Sequence, residues 1–247
     1  ATWSGFSIGE LFIDYTWLGD VFIRMGKHDM AWGQARLFEG VTDIMADAVS
    51  GFSLRASLPT LLSGVSVIGM INRADVTSYR QICYAAKVDE VLFGTMLSLG
   101  ARYQLDEGLN ALVSVKRVLW SVDLLVDTVL HYDDEAFYPR VLAGFFREWP
   151  DIKLYGEYYY NGETEGGQDH TAGLACGFNN IVGSQLDLGL QWIHAFIDGS
   201  GSATAGVTWK PWKYITATVA VPVAYGPDGS RYVTTFNEDV ADRRLAL

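Results

Sequence analysis

The residue types of a hydrolytic triad occur together in one short run of the sequence. The run contains Ser121, Asp123, Asp127 and His131, all at odd-numbered positions. Nucleophilic catalysis requires the serine, histidine and carboxylate side chains to be linked by hydrogen bonds. Successive side chains on one face of a strand are about 7 Å apart, so residues four apart cannot hydrogen-bond directly. The spacing therefore predicts no catalytic triad and, for the chain as a whole, no enzyme.

Two pairs of adjacent residues carry metal-ligand side chains, His28 with Asp29 and Asp169 with His170. Adjacent residues of an extended chain point to opposite sides, so neither pair can close on one ion without further ligands. We interpret both pairs as solvated loop residues. The sequence predicts no metal site and no cofactor.

Polar and apolar residues alternate with a period of two through most of the chain. In residues 184–196, for example, leucines alternate with aspartate, glycine and glutamine. This period indicates β-strands with one apolar face and one polar face. The same test predicts strands at residues 4–17, 21–31, 48–58, 64–73, 80–88, 91–104, 108–118, 121–132, 137–148, 152–161, 170–179, 184–196, 203–210 and 213–224, and a last strand that begins near residue 243.

The apolar faces and the strand lengths indicate a membrane protein. Many predicted strands have the ~10 residues that cross a bilayer at the tilt of a barrel, whereas strands of soluble proteins average about five or six. A mean hydropathy of +0.12 is too polar for a bundle of membrane helices. We therefore predict an all-β fold, a transmembrane antiparallel meander β-barrel.

The predicted connections alternate between short and long. Short ones lie at Gly19, Pro59–Ser63, Asp89, Leu119, Pro150, Val182 and Pro211, and longer ones at 32–47, 74–79, 105–107, 133–136, 162–169, 197–202 and 225–242. Bacterial outer-membrane barrels have short periplasmic turns, longer external loops and an even number of strands. Because the first connection is short, we expect a strand before residue 1, an incomplete last strand, and about sixteen strands in one domain that includes residues 1–247.

Aromatic residues gather near the predicted strand ends, as in the two aromatic girdles of a membrane barrel. The row beside the short turns comprises Trp17, Trp120, Trp149, Trp209, Trp212 and Tyr214. The row beside the long connections comprises Trp32, Tyr103, Tyr132, Phe137, Tyr158, Tyr160, Phe196 and Tyr225.

The charged residues of the strands must face the barrel interior, because a charge on the lipid face costs roughly 2–4 kcal/mol at the bilayer midplane. The predicted channel-lining residues are Glu10, Asp14, Arg24, Arg55, Lys87, Arg102, Lys116, Asp123, Asp127, Arg140, Lys153, Glu157 and Asp187. Both signs are present. The mixture fits either a water-filled pore or an interior that is plugged by salt bridges.

One segment also carries a motif. It has an Arg-x-Gly-Lys strand, a Trp-Gly-Gln sequence and a Thr-Asp pair, formed by Arg24, Gly26, Lys27, Trp32, Gly33, Gln34, Thr42 and Asp43. This arrangement resembles a strand–loop motif of porin-like bacterial outer-membrane proteins. The resemblance implies a channel for passive diffusion of small hydrophilic solutes, in which this loop bends into the lumen.

The same loop is more apolar than a solvated loop should be, because it contains Trp32, Leu37, Phe38, Ile44 and Met45. Burial inside the barrel would explain these residues. We therefore predict a constriction loop whose important residues are Trp32, Gln34, Arg36, Glu39 and Asp43.

The formal charge of -11 argues against a nucleic-acid partner, which would require clustered Lys and Arg. The predicted partners are membrane lipids and small hydrophilic solutes, with a homo-oligomer or an envelope-complex partner left open. The alternative function is a non-conducting barrel that acts as a membrane anchor, as a platform subunit of an envelope complex, or as a surface adhesin.

Overall fold

The computed structural model describes residues 9–46, 51–72, 76–105, 107–132, 136–162, 169–181, 183 and 185–237. These residues form one sheet of fourteen strands that are hydrogen-bonded in chain order, which confirms the predicted antiparallel meander. The strands are β1 (Leu11–Trp17), β2 (Val21–Lys27), β3 (Phe52–Pro59), β4 (Ser63–Ile71), β5 (Cys83–Leu92), β6 (Thr95–Gln104), β7 (Gly108–Leu119), β8 (Val122–Tyr132), β9 (Phe137–Glu148), β10 (Ile152–Asn161), β11 (Asp169–Phe178), β12 (Leu186–Ala195), β13 (Ser200–Trp212) and β14 (Ile215–Tyr225). The strand predicted near residue 243 lies outside the described residues.

Helix is scarce in the described part of the chain. A short 3-10 helix spans Tyr79–Gln81, and residues 231–237 are α-helical. Among the described residues, no helix has the length and apolarity needed to cross a membrane.

The chain divides into two compact units. The first comprises Ala1–Gln34, Glu39–Arg117 and Asp127–Arg140, and the second comprises Ala35–Phe38, Val118–Val126 and Val141–Leu247. The first unit thus contains β1 to β6 and most of β7, and the second contains β10 to β14.

The strand register of the first unit separates polar from apolar residues. Asp14 lies opposite Arg24, which lies opposite Arg55, and directly opposed residues share a face of the sheet. On the other face Met25 lies between Ile13 and Leu54. These apolar side chains are 45%, 68% and 52% exposed, respectively, so this face of the sheet has no protein cover at that row.

The second unit has the same two faces. Asp187 pairs with Thr208, which pairs with Thr218, on the polar face. Leu188 lies between Phe178 and Val207 on the apolar face. The period-two pattern of β12 therefore corresponds to a strand with one polar and one apolar side.

Two strand ends differ from the prediction. The run predicted as 80–88 forms β5, which continues to Leu92, and the turn is at Phe93 and Gly94 rather than at Asp89. Both turn residues have positive φ, 51° and 73°, as a two-residue type I′ hairpin requires. Asp89 is a strand residue whose carboxylate pairs with Lys87 at 3.0 Å.

The turn predicted at Pro211 is also displaced, because β13 extends to Trp212. The register between β13 and β14 shifts between Trp209 and Trp212. Proline has no N–H group to donate to the ladder, which accounts for an irregularity at this point.

The alternation of connection lengths holds only in part. The connections 18–20, 60–62, 93–94, 120–121, 149–151 and 213–214 are short, and 28–51 and 72–82 are long. However, 105–107 and 196–199 are short although they were predicted long, and 179–185 is longer than predicted. In the last case the Asn180 N–H donates to the Asp187 carboxylate at 3.1 Å, so a polar-face side chain organises the connection.

Arginine substitutions on the two faces of β12 should have different costs. We expect Leu188→Arg to lower the free energy of unfolding in lipid by roughly 2–4 kcal/mol, because the guanidinium would leave water for the apolar face. Gln191→Arg is the matched control, since Gln191 lies on the polar face opposite Ala175 and Thr204. Urea unfolding in vesicles measures both variants, and equal losses of stability would contradict the assignment of the faces.

Candidate functional site

The connection between β2 and β3 packs against the polar face of the sheet. In the first unit its residues Met30, Trp32, Ile44 and Met45 are buried in one cluster with side chains of β4, β5, β7 and β8. The strand members of this cluster are Ile68, Met70, Cys83, Ala85, Leu112 and Val129. Ile68 and Ala85 belong to the same cross-strand row as Arg55, which is on the polar face. The polar face is therefore apolar where the loop covers it.

Asp127 is the main carboxylate that holds this part of the loop. It is fully buried, and its Oδ2 accepts hydrogen bonds from the Gln34 N–H at 3.1 Å and the Thr42 hydroxyl at 3.2 Å. The Ser114 hydroxyl donates to Oδ1. A buried carboxylate is tolerated when hydrogen-bond donors surround it, and here two of the three donors come from the loop.

The Trp-Gly-Gln and Thr-Asp parts of the motif meet in space. Asp43 Oδ1 accepts the N–H groups of Trp32 and Met45, both at 2.9 Å. A Cβ atom on Gly33 would lie 3.0 Å from the backbone N of Asp43, so a larger residue would push the two sides of the loop apart. Asp43 is thus occupied in shaping the loop.

The Arg-x-Gly-Lys part of the motif has a structural basis as well. Gly26 has φ of 138°, and a Cβ atom there would lie 2.2 Å from the Leu11 carbonyl oxygen. Arg24 donates from Nε and Nη2 to the two Asp14 oxygens at 2.7 and 2.8 Å. This pair lies on the polar face at the start of the sheet.

Within the first unit, two arginine side chains donate hydrogen bonds to carbonyl groups of the loop. Arg102 donates to the Ile44 carbonyl oxygen at 3.2 Å, and Arg140 donates to that of Val41 at 3.4 Å. Arg102 is 3% exposed and also pairs with Glu107. These predicted lining residues therefore act as supports beneath the loop.

In the second unit Glu157 accepts hydrogen bonds from three successive backbone N–H groups. Oε1 accepts from Arg36 at 2.7 Å, and Oε2 accepts from Leu37 and Phe38 at 2.9 and 3.0 Å. Consecutive amides that converge on one anion form a nest. Glu157 is 5% exposed, so this contact is shielded from water.

The Leu37 and Phe38 side chains, beside this nest, pack over Gly173. A Cβ atom on Gly173 would lie 3.1 Å from the Phe38 ring and 3.2 Å from Leu37. The Phe38 ring is also 6.1 Å from the ring of Tyr159. Because Gly173 pairs directly with Glu157, the glycine provides the space in which the loop reaches the carboxylate.

Arg36 points along the polar face from the nest. Its guanidinium lies 3.7 Å from the centroid of the Phe146 ring, in the range of a cation–π contact. It also lies 4.0 Å from the Asp123 carboxylate. Arg36 and Glu39 are exposed, whereas Asp43 is half-buried, so Arg36 and Glu39 are the most exposed charged residues of the segment 32–45.

The other predicted lining residues lie on the polar faces. Their neighbours are strand residues or residues of connections other than the loop segment 32–45. These lining residues are Glu10, which accepts from the Asp29 N–H at 3.0 Å; Arg55, which donates to the Ser57 hydroxyl at 2.9 Å; Lys87; Lys116, opposite Met96; Lys153, paired with Glu148 at 2.7 Å; and Asp187, paired with Lys210. A cavity of about 620 Å³ adjoins Asp14, Arg24, Arg55 and Asp89.

Three interpretations of single residues need correction. His28 and Asp169 are 1% and 3% exposed, not solvated. The His28 ring packs edge-on against Phe12 at 6.0 Å, and burial lowers its pKa. Trp32 belongs to the buried cluster beneath the loop rather than to an aromatic girdle.

The candidate triad is not assembled. Asp127 is engaged by Gln34, Thr42 and Ser114, and the His131 ring contacts the Asn110 side chain at 3.0 Å. Across the described residues, no three His, Cys, Asp or Glu side chains are grouped closely enough to hold a metal ion.

A second anchored segment was not anticipated from the sequence. Arg231, at the start of the 231–237 helix, forms an ion pair with Asp169 at 2.7 Å, and its N–H donates to Asp198 at 2.9 Å. Partial burial acts to raise the pKa of Asp198, but the hydrogen bonds from Ser200 and Arg231 outweigh it and hold the pKa below its usual value. In the sequence, the only indication of this contact is an aspartate at each of two strand ends, Asp169 and Asp198. Their spacing is not distinctive enough to predict it.

Removing the Glu157 carboxylate should release residues 36–38. We expect Glu157→Ala to lower the free energy of unfolding by about 1–3 kcal/mol, because three amides lose their shared acceptor. Glu148→Gln is the control, since Glu148 forms a half-exposed pair with Lys153 and should cost under about 1 kcal/mol. Urea unfolding and protease cleavage within the loop provide the measurements, and an intact, protected loop in Glu157→Ala would contradict this assignment.

The contact between Asp198 and the Arg231 segment should weaken in acid. Because the folded-state pKa of Asp198 is depressed, its contribution is present above the unfolded pKa and is lost as the pH falls through the folded pKa. Hydrogen exchange of residues 226–237 should therefore accelerate as the pH falls below about 4, after correction for intrinsic exchange. Asp198→Asn should show the faster exchange already at neutral pH, and identical profiles for the two proteins would refute the role of this carboxylate.

Comparison with known proteins supports the fold assignment. No protein-family model matches the chain, and no curated protein is significantly similar to it in sequence. OccK2 (OpdF) of Pseudomonas aeruginosa has a similar structure, with a TM-score of 0.56 and 10% identity over 86% of this chain and 74% of that chain. A BenF-like porin from Pseudomonas fluorescens Pf-5 has a TM-score of 0.54 and 8% identity over 85% of this chain and 70% of that chain. At such low identity the similarity shows the fold alone, which this chain shares with these two proteins.

Proposed function

We propose that this chain is an outer-membrane channel for the passive diffusion of small hydrophilic solutes. The observation that carries the proposal is the loop between β2 and β3, which is fixed to a charged face of the sheet while the opposite face is apolar. One of the two proteins with a similar structure is described as a BenF-like porin, which supports the proposal. The specific solute is left open.

The two faces match two different media. Apolar side chains such as Ile13, Leu54 and Val219 are 68%, 52% and 69% exposed. Exposed apolar side chains of this kind are unfavourable in water and favourable in lipid. Charged side chains on the other face need water or counter-charges, which a channel interior supplies.

The loop would narrow the channel and present a small set of charges to the solute. Arg36 and Glu39 are exposed, whereas Asp127 and Glu157 are buried beneath the loop. In a constriction with low-dielectric walls, fixed charges act strongly on a passing ion. We therefore assign selectivity chiefly to Arg36, Glu39 and the partly exposed wall residues Arg55, Lys87 and Lys116.

The buried carboxylates explain how the loop would resist displacement by solute. Five loop donors converge on Asp127 and Glu157, and each of these hydrogen bonds involves a charged acceptor. Charge-assisted hydrogen bonds are about twice as strong as neutral ones. The loop would therefore act as a fixed constriction.

Replacing residues 35–43 with a Gly-Ser-Gly linker should enlarge the channel. We expect a higher single-channel conductance in planar bilayers and weaker charge selectivity, because the constriction and its charges are removed together. The sheet should remain folded, since the freed Asp127 and Glu157 carboxylates would be hydrated.

The matched control is Arg36→Gln with Glu39→Gln, which keeps the loop and removes its exposed charges. This variant should change selectivity with little change in conductance. Unchanged conductance in the folded linker variant would reject the constriction. Absence of conductance in the unmodified protein as well would favour a non-conducting anchor or platform.

A further inference from the structure

A groove on the apolar face of the second unit is lined by the 149–151 connection and the adjoining strand ends. It has a volume of about 350 Å³ and is lined by Trp149, Pro150, Asp151, Ile152, Leu154, Cys176 and Phe178. Leu154 lies opposite Cys176, and Ile152 lies opposite Phe178, so the floor of the groove is the seam between β10 and β11. Most of its lining is hydrocarbon, which suits an acyl chain.

Arg147 does not line the groove itself, but it contacts Trp149, which does. β9 and β10 are paired across the 149–151 connection: the Trp149 N–H donates to the Ile152 carbonyl at 2.8 Å, and Glu148 pairs with Lys153. One step further from the connection on each strand, Arg147 therefore lies beside Leu154. Its guanidinium lies 4.5 Å from the centroid of the Trp149 ring. Its Nε is buried and makes no hydrogen bond to any described residue.

A buried guanidinium N–H without an acceptor is unfavourable. The Arg147 side chain is only partly buried, so its guanidinium can still meet an acceptor from outside the protein. Arginine forms a planar set of donors that matches phosphate oxygens. The Trp149 ring holds the guanidinium on the apolar face, beside the strand end, where aromatic residues occupy the membrane–water interface. A phosphate attached to a hydrocarbon chain satisfies both Arg147 and the groove.

The groove also contains a group of opposite charge. Asp151 lines it, and its Oδ1 accepts a long hydrogen bond, 3.5 Å, from the Asn180 side-chain amide. A net anionic headgroup would be repelled by this carboxylate. A headgroup that carries an ammonium next to its phosphate would instead place one charge against each residue.

We propose that this groove binds one phospholipid of the phosphatidylethanolamine type. Its acyl chain occupies the groove, its phosphate accepts hydrogen bonds from Arg147, and its ammonium donates to Asp151. Choline headgroups have no N–H to donate, and glycerol headgroups have no positive charge, so both should bind less well. The inference rests on the membrane location in the proposed function but not on conduction.

Native mass spectrometry of the full chain in detergent, with added phosphatidylethanolamine, phosphatidylglycerol or phosphatidylcholine, tests the proposal. The unmodified protein should retain one phosphatidylethanolamine in preference to the others, and R147Q should bind it about tenfold more weakly, the effect expected for a lost charge-assisted hydrogen bond. R117Q is the matched control, because Arg117 is an exposed residue of the first unit, opposite Thr95, whereas the groove belongs to the second unit. D151N should reduce the preference for phosphatidylethanolamine over phosphatidylglycerol.

Equal binding of the three lipids, or equal phosphatidylethanolamine binding by R147Q and R117Q, would overturn the site and indicate ordinary annular lipid. A conductance measurement distinguishes failure of the lipid site from failure of the proposed function, because R147Q should conduct like the unmodified protein. Selective lipid binding by a non-conducting protein would support the site and reject the channel. Conduction without selective lipid binding would do the reverse.

Discussion

The hydrogen bonds between loop amides and buried carboxylates are the constraint on which the site depends. Backbone N–H groups that leave water must find acceptors, and residues 36–38 find theirs in Glu157. Asp127 accepts in the same way from the Gln34 N–H, and also from the Thr42 hydroxyl. Because both acids belong to strands, the sheet determines the position of the loop, and the loop in turn buries the apolar patch around Met70 and Leu112.

This arrangement gives the polar face two kinds of charged residue. Arg102, Asp127 and Glu157 are buried and hold the loop. Arg102 pairs with Glu107, and the two carboxylates accept hydrogen bonds from the loop. Arg36 and Glu39 are exposed, as are the Asp14 and Arg24 side chains in the first unit. A set of residues that looks uniform in the sequence therefore divides into structural supports and charges that a solute can meet.

Much of the fold could be predicted from the sequence because a strand between two media leaves a period of two. The clear alternation over residues 184–196 gave β12 nearly at its observed bounds. Turns were less predictable, since Asp89 resembles a turn residue but forms an ion pair within β5. The roles of Asp127 and Glu157 depend on contacts to residues about 90 and 120 positions away in sequence, which no local pattern records. The apolar composition of residues 32–45 did predict their burial, because hydrophobic side chains must be covered somewhere.

The central claim is that the two faces of the sheet meet lipid and water, respectively. Single cysteines along Leu186–Ala195, in a protein in which Cys83 and Cys176 are replaced by alanine, test it most directly. In lipid vesicles, cysteines at positions 187, 189 and 191 should react with a membrane-impermeant maleimide, whereas fluorophores attached at 188, 190 and 192 should be quenched by a lipid-borne quencher. Reaction and quenching without this period of two would contradict the account.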